Sequence, residues 1–274
     1  MIKPIIPVKS EGLTEEAKSL LETAIPVITP AKVEDPMSYL LLPQTRDHPD
    51  LLISQTRLVY KPDMKQIVER LSINAQDNDI KGPANPLYPE GYLGNINHQQ
   101  AIDINKVLDG FTLPPNLFAE FINILRLGTA NDGDGNPVAP QRLEAILNDI
   151  YEVRTPWRAE WLNHRYSEKD GKLMVTYPKF DTSGQLVEVL EELDSSTLRK
   201  DKIPGISLES WLRNPTPQGL PRIDVATGEL YYWHPRNGKV AWFGAFSDGA
   251  FLSCDRDPTN SYSALGVRHA KIKK

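Results

Sequence analysis

Apolar residues recur at helical spacing in several segments of the chain. The pattern predicts one helix within residues 64–73, two within residues 97–127 and one over residues 140–153. Pro114 and Pro115 mark the start of the second helix of the pair, because proline is favoured in the first turn of a helix. The apolar positions that carry these predictions are Ile67, Val68, Leu71, Ala101, Ile104, Val107, Leu108, Leu117, Phe118, Phe121, Ile122, Leu125, Leu143, Ile146, Leu147 and Ile150.

Prolines interrupt the first part of the chain, at Pro4, Pro7, Pro83, Pro86 and Pro89 among other positions. Between them lie short apolar runs at residues 39–42 and 51–53. Prolines at this frequency predict short secondary-structure elements joined by turns. With the helices that follow, residues 1–153 are expected to form a mostly helical support region.

The composition changes after residue 156, where all five tryptophans fall. Residues 172–177 resemble a strand, residues 184–193 a helix, and residues 208–212 a short helix that Ser207 caps. Residues 229–233 and 239–243 are predicted to be adjacent strands joined by a turn at Asn237 and Gly238. The predicted fold class is therefore α+β, with a second domain over residues 154–274.

The segment after Trp242 alternates between two kinds of position. One set contains Ala245, Ser247, Ala250, Leu252 and Cys254, after a one-residue slip at residues 248–249, and is uniformly small or apolar. The opposite set mixes glycine, serine, aromatic and acidic residues. Its members are Gly244, Phe246, Asp248, Phe251, Ser253 and Asp255. The second set is typical of a display surface, but an ordinary edge hairpin with a mixed solvent face also explains it, and the pattern alone does not decide between them.

A wider set of motifs resembles the target proteins of diversity-generating retroelements, in particular those of archaea, their viruses and small-genome bacteria. The motifs are residues 241–243, Leu252, Cys254, Pro258, Ser261 and residues 265–271, with upstream matches at residues 156–162, 206–212 and 219–222. The resemblance implies a C-type lectin fold at the C-terminus, with a variable region at about residues 241–270. In that family, adenine-directed miscopying by an error-prone reverse transcriptase diversifies selected surface positions while the framework stays fixed.

Carried over position by position, the resemblance divides the C-terminal segment into two groups. The implied framework comprises Trp242, Phe243, Ala245, Ser247, Ala250, Leu252, Cys254, Pro258, Ser261 and residues 265–268. The implied ligand-binding positions are Gly244, Phe246, Asp248, Gly249, Phe251, Ser253, Asp255, Asp257, Thr259, Asn260, Tyr262, Ala264 and His269. Phe246, Phe251 and Tyr262 are expected to be aromatic anchors for an unidentified protein or other macromolecular ligand.

Charge and cysteine content narrow the other possibilities. The net charge of −5 and the absence of a basic run argue against nucleic acid as the ligand, and no apolar segment is long enough to insert into a membrane. No signal peptide is apparent, so virion-associated and cytoplasmic locations both stay open. The lone Cys254 is expected to be a buried small hydrophobe, and no cofactor is expected.

The Asp132, Asp134 and Asn136 alternation begins like an EF-hand loop, but Pro137 and Leu143 occupy the positions that require glycine and glutamate. A plain Asx turn is therefore predicted.

Three alternatives remain open. An enzyme would need a pocket that joins His164 or His234 to a carboxylate. A relative of formylglycine-generating enzymes shares a related fold, but its chemistry uses a cysteine pair. A structural virion or scaffold protein would assemble with itself and bind no separate ligand.

Overall fold

The computed structural model describes residues 38–73, 87, 91–151, 153, 155 and 157–274. The described residues belong to one compact unit that begins at residue 36, and residues 1–35 lie outside the described residues. The predicted boundary between residues 153 and 154 falls inside this unit. The prolines on which the prediction for the first part of the chain rested, Pro4, Pro7, Pro83, Pro86 and Pro89, all lie outside the described residues.

The unit is mixed α+β, as predicted. Its helices are α1 (Pro62–Arg70), α2 (His98–Val107), α3 (Pro115–Leu127), α4 (Pro140–Tyr151) and α5 (Leu208–Arg213). Its strands are β1 (Tyr39–Leu42), β2 (Leu51–Arg57), β3 (Asn131–Asp132), β4 (Arg158–Lys169), β5 (Lys172–Phe180), β6 (Leu186–Glu192), β7 (Lys202–Ile206), β8 (Leu230–Trp233), β9 (Val240–Ala245), β10 (Ala250–Arg256), β11 (Leu265–Gly266) and β12 (Arg268–Ile272).

The helices α1 to α4 confirm the four predictions made from apolar spacing. Asn97 caps α2 through a capping box, in which its side chain accepts a hydrogen bond from the Gln100 backbone and the Gln100 side chain accepts one from the Asn97 backbone. The short helix α5 is also confirmed, and the Ser207 hydroxyl accepts a hydrogen bond from the Ser210 backbone.

The strands form two sheets. The smaller sheet has the order β12-β2-β1-β3, and the larger has the order β6-β5-β4-β9-β10-β8-β7, with β11 paired to β4. β9 and β10 pair in antiparallel fashion, and β10 pairs in parallel fashion with β8. The C-terminal hairpin therefore lies at the centre of the larger sheet, so the edge-hairpin interpretation is wrong.

Both faces of the larger sheet are covered. Phe243, Leu252 and Cys254 face one buried cluster, which also contains Phe118 of α3 and Trp211 of α5. The opposite face carries a second buried cluster. It contains Trp161, Trp242 and Phe251 of the sheet, Val68 of α1 and Ala101 of α2. The alternation that the sequence predicts in β10 is thus present, but neither set of β10 side chains faces open solvent along the whole strand.

Two predicted elements are wrong. The segment predicted as a helix over residues 184–193 is the strand β6, which forms a hairpin with β5 through an Asx turn at Asp181. The strands β8 and β9 are not adjacent, because β10 lies between them. Gly238 instead contacts β4, where its N–H donates to the carbonyl oxygen of Tyr166.

Buried charges join the two sheets. Arg268 donates from Nε and Nη2 to both carboxylate oxygens of Glu160, at 2.9 and 3.0 Å. Asp149 of α4 accepts hydrogen bonds from Arg57 and Arg158. All five side chains are buried. Charges removed from water are tolerated only when they are paired, so this network fixes β2 and β12 against β4.

Candidate ligand-binding surface

Two loops flank β10, one before the strand and one after it. The turn between β9 and β10 is closed by a hydrogen bond from the Phe246 N–H to the Gly249 carbonyl at 2.9 Å. The second loop spans residues 257–263, where Asp257 accepts hydrogen bonds from the backbone and hydroxyl of Thr259 at 3.0 and 2.7 Å. These contacts lower the pKa of Asp257 and keep its carboxylate charged. Both loops are therefore ordered by their own polar side chains and backbone.

Aromatic side chains converge between these loops. We define the aromatic patch as Trp157, Tyr231, Trp233, Trp242, Phe246, Phe251 and Tyr262. Trp242 and Phe251 are buried and form its floor. Trp157, Tyr231, Trp233 and Phe246 are half-buried, and Tyr262 is 42% exposed.

The rings of the aromatic patch touch one another continuously. Phe246 stacks on Phe251 with ring centroids 4.2 Å apart, and Trp242 lies 4.7 Å from Phe251. Trp157 is 5.8 Å from Trp242, 5.6 Å from Phe246 and 5.9 Å from Tyr262. Such offset and edge-to-face contacts hold the partly exposed rings on a rigid base.

Arg256 adds a positive charge to the aromatic patch. Its guanidinium lies 4.6 Å from the ring centroid of Trp242 and 5.0 Å from that of Tyr262. These are cation–π distances, at which the ring faces attract the charge. The patch therefore combines exposed aromatic area with one arginine.

A charged network borders the aromatic patch beyond Trp233. Arg236 donates to Asp255 and to Asp201, the latter at 2.6 Å, and His234 Nδ1 lies 2.6 Å from Asp201. Burial raises the pKa of Asp201, but hydrogen bonds from the backbone and ring of His234 and the charge of Arg236 outweigh it, so the pKa is lowered. The network orders the outer end of β8.

The structure separates the predicted ligand-binding positions into two groups. The partly or fully exposed ones are Phe246, Asp248, Gly249, Asp255, Asp257, Thr259, Asn260 and Tyr262. They lie in or beside the two loops that border the aromatic patch, one of which precedes β10 and the other follows it.

The other predicted positions, Gly244, Phe251, Ser253, Ala264 and His269, are buried, and the expectation that they point outward is wrong. Gly244 lies so close to β4 that an added Cβ would be 2.5 Å from the carbonyl oxygen of Arg158. His269 Nδ1 is 3.0 Å from Asn105 Oδ1, inside the protein. Substitution at these positions would perturb packing, because the second face of the sheet is covered by α1 and α2.

Sequence reasoning missed four residues of this surface. Tyr231 and Trp233 alternate along β8. In the parallel pairing of β10 and β8, Phe251 is the partner of Tyr231, and its ring centroid lies 6.1 Å from that of Trp233. That pairing could not be predicted, since the sequence favoured β8 next to β9. Trp157 lay within the upstream match at residues 156–162 but was not assigned to the surface, and Arg256 lay between motif positions.

His164, Cys254 and Asp132, the other side chains that the sequence singled out for possible chemistry, lie outside the aromatic patch and its two loops. Burial, and then the charge of His98, lower the pKa of His164 to about 3, and burial raises the pKa of the Cys254 thiol to about 12. Cys254 is fully buried, which confirms the prediction of a buried small side chain. Asp132 Oδ1 accepts hydrogen bonds from the backbone of Asp134 and Asn136, which confirms the Asx turn.

Within the described ranges, no three histidine, cysteine or acidic side chains lie close enough to hold a metal ion. Across those same ranges, each helix is too short or too polar to cross a bilayer.

Two surface cavities lie elsewhere, beside α3. Their volumes are about 440 and 290 Å³, and both are lined by Pro43 and Ile124. Neither is lined by His164 or His234. Comparison with known protein families, curated proteins and solved structures finds no match.

Proposed function

We propose that this chain is a ligand-binding protein and that the aromatic patch, with the two loops beside it, is its binding surface. The observation that carries the proposal is the continuous contact of Trp157, Phe246 and Tyr262, partly exposed, over the buried rings of Trp242 and Phe251. Aromatic side chains that are held rigidly at a surface lose little entropy on binding and are enriched among energetically dominant interface residues.

The part of the predicted division between framework and surface that burial follows supports the same proposal. Leu252, Cys254 and Val267 are buried, whereas Asp248, Thr259 and Tyr262 lie in exposed loops. Loop side chains on a packed sheet accept substitution with little effect on folding. We further propose a C-type lectin fold and diversification by a retroelement, restricted to the exposed members of the predicted set. The ligand is proposed to be a protein or another macromolecule.

The test of diversification is the sequence of the DNA next to the gene. We expect a near-copy of the codons for residues 241–270 that differs almost solely at adenines, together with a reverse-transcriptase reading frame. The differences should fall at codons for exposed residues such as Asp248, Thr259 and Tyr262, and spare the codon for Gly244. Absence of such a copy would overturn diversification and leave the binding proposal to the test below.

The binding proposal is tested separately by selecting binders from a phage-displayed library of random peptides on the folded protein. Binders should compete with one another and should lose affinity for Phe246→Ser and Tyr262→Ser variants. The matched control is Leu190→Ser, which changes an exposed apolar residue on the distant edge strand β6. Binding that survives both patch substitutions would contradict the proposal.

The enzyme alternative has one observation in its favour, the 2.6 Å contact between His234 and Asp201. Asp201 also accepts a hydrogen bond from Arg236, so its carboxylate is already engaged by two partners. Hydrolysis of an ester panel that is lost in His234→Gln would favour the enzyme. Self-assembly without any ligand would favour the scaffold alternative.

A further inference from the structure

The guanidinium of Arg256 carries one of the unsatisfied polar atoms of the aromatic patch. It contacts the faces of Trp242 and Tyr262, and its buried Nε has no hydrogen-bond partner. Among the described residues no carboxylate forms an ion pair with it. A partly buried cation without a counter-ion is costly, because water is excluded and no partner replaces it.

The acidic neighbours of Arg256 are already engaged by other cations. Asp255 accepts a hydrogen bond from Arg236, and Asp257 lies 3.4 Å from the Lys239 ammonium. The flanking negative charges are therefore compensated, and the charge of Arg256 is left available to a ligand. A single guanidinium offers a fork of N–H donors that matches one carboxylate.

A second buried donor lies in the same place. The indole Nε1 of Trp242 is buried and also has no hydrogen-bond partner, although the residue is only 3% exposed. The Arg256 guanidinium lies over this indole and over the ring of Tyr262. Because Nε1 and Nε are both buried, a ligand would meet the terminal nitrogens of the guanidinium, and these donors favour a ligand that brings acceptor oxygens.

We propose that Arg256 is the charged contact of this surface and that the ligand presents to it the carboxylate of an aspartate or glutamate side chain, flanked by apolar residues that pack on Phe246 and Tyr262. This inference rests on the proposed binding function and names the ligand class. A carboxylate is favoured over a phosphate because recognition of phosphorylated motifs uses clusters of arginines, whereas Arg256 is flanked in the chain by the acidic residues Asp255 and Asp257.

The experiment uses the same random-peptide library on the full chain and on the Arg256→Gln variant. Peptides selected on the unchanged protein should be enriched in an acidic residue next to an aromatic or aliphatic one. Their dissociation constants should rise about tenfold to a hundredfold on Arg256→Gln, as expected for loss of a charge-assisted hydrogen bond. Arg256→Lys should retain part of the affinity, because lysine keeps the positive charge but lacks the paired N–H donors of the guanidinium.

The matched control is Arg213→Gln on α5, an exposed arginine outside the patch, which should leave the dissociation constants unchanged. Equal melting temperatures verify that each variant is folded. Binders without acidic residues, or binders equally tight on Arg256→Gln, would overturn this inference. The same would follow if a phosphorylated library gave consistently tighter binders than the acidic one.

The two proposals fail in different ways. Peptides that depend on Phe246 and Tyr262 but not on Arg256 would leave the proposed function standing and remove only the acidic ligand. Peptides that depend on none of the three, or a selection that yields no binder, would remove both.

Discussion

Arg268 and Glu160 form a two-pronged ion pair across the interior, 108 residues apart in the chain, with both side chains almost completely buried. Arg268 begins β12 of the smaller sheet and Glu160 lies in β4 of the larger one. The pair thus connects the C-terminal strand to the middle of the fold.

Arg268→Met should lower the free energy of unfolding by about 3–5 kcal/mol, because it leaves the Glu160 carboxylate buried without its partner. Denaturant titration measures the loss. The control is Arg213→Met, whose ion pair with Glu209 is exposed and should contribute at most about 1 kcal/mol. Equal effects at the two positions would contradict this account of the buried pair.

Phe251→Ser should lower the free energy of unfolding by about 3–5 kcal/mol, since Phe251 is fully buried against Trp242 and Phe246. Tyr262→Ser, at an exposed position, should cost about 1 kcal/mol or less. Thermal or denaturant unfolding of the two variants side by side is the test. If Phe251→Ser changed the free energy of unfolding only slightly, Phe251 would have to face outward, as the sequence predicted.

Two buried histidines predict loss of stability in mild acid. Burial lowers the pKa of His98 to about 4, and burial with the charge of His98 lowers that of His164 to about 3. Below about pH 6.5 the unfolded chain takes up protons that the folded protein excludes, so stability falls as the pH falls toward 4. Each histidine should contribute about 1.4 kcal/mol per pH unit.

The measurement is the free energy of unfolding at several values between pH 6.5 and pH 5. In His164→Phe the slope against pH should decrease by the contribution of one histidine. Tyr177→Phe, which changes a ring neighbour of His164, is the control and should keep the full slope. An unchanged slope in His164→Phe would contradict the predicted pKa.

Gly219→Ala should destabilise the fold far more than Gly184→Ala. Both glycines have positive φ, +82° and +75°. An added Cβ at Gly219 would lie 2.0 Å from the backbone nitrogen of Asn116, at the start of α3, whereas at Gly184 it would meet nothing within 4 Å. Gly184→Ala should cost about 1 kcal/mol from backbone strain alone. Similar melting temperatures for the two variants would contradict the close packing of Gly219 against the backbone of Asn116.

The helices were predictable from sequence because each buries one apolar face. In α3, for example, the buried face includes Leu117, Phe121 and Leu125. The strand β6 was not predictable, because Leu186, Val189 and Leu190 also fit helical spacing. What decides between the two structures is the hairpin with β5, which pairs β6 along its whole length. Pairing partners are a property of the assembled sheet, and local spacing does not encode them.

The candidate surface was predictable only where it consists of loops. Alternation correctly separated Phe251 from Leu252 and Cys254, which pack in opposite clusters. It could not show that α1 and α2 cover the face that carries Phe251, since these helices are distant in sequence. The packing of distant segments therefore decided which of the interleaved positions stay exposed, and it left Phe246 and Tyr262 at the surface while burying Phe251.

The pairing of β12 with β2 imposes an order on biosynthesis. Leu51 meets Ile272 and Ile53 meets Ala270 in that pairing, so β2 leaves the ribosome long before its partner exists. Chains are made at about 5–20 residues per second, which leaves β2 without β12 for ten seconds or more. The nascent chain must keep that strand edge from pairing with other chains during this interval, and the emergence of β12 is the event that closes the smaller sheet.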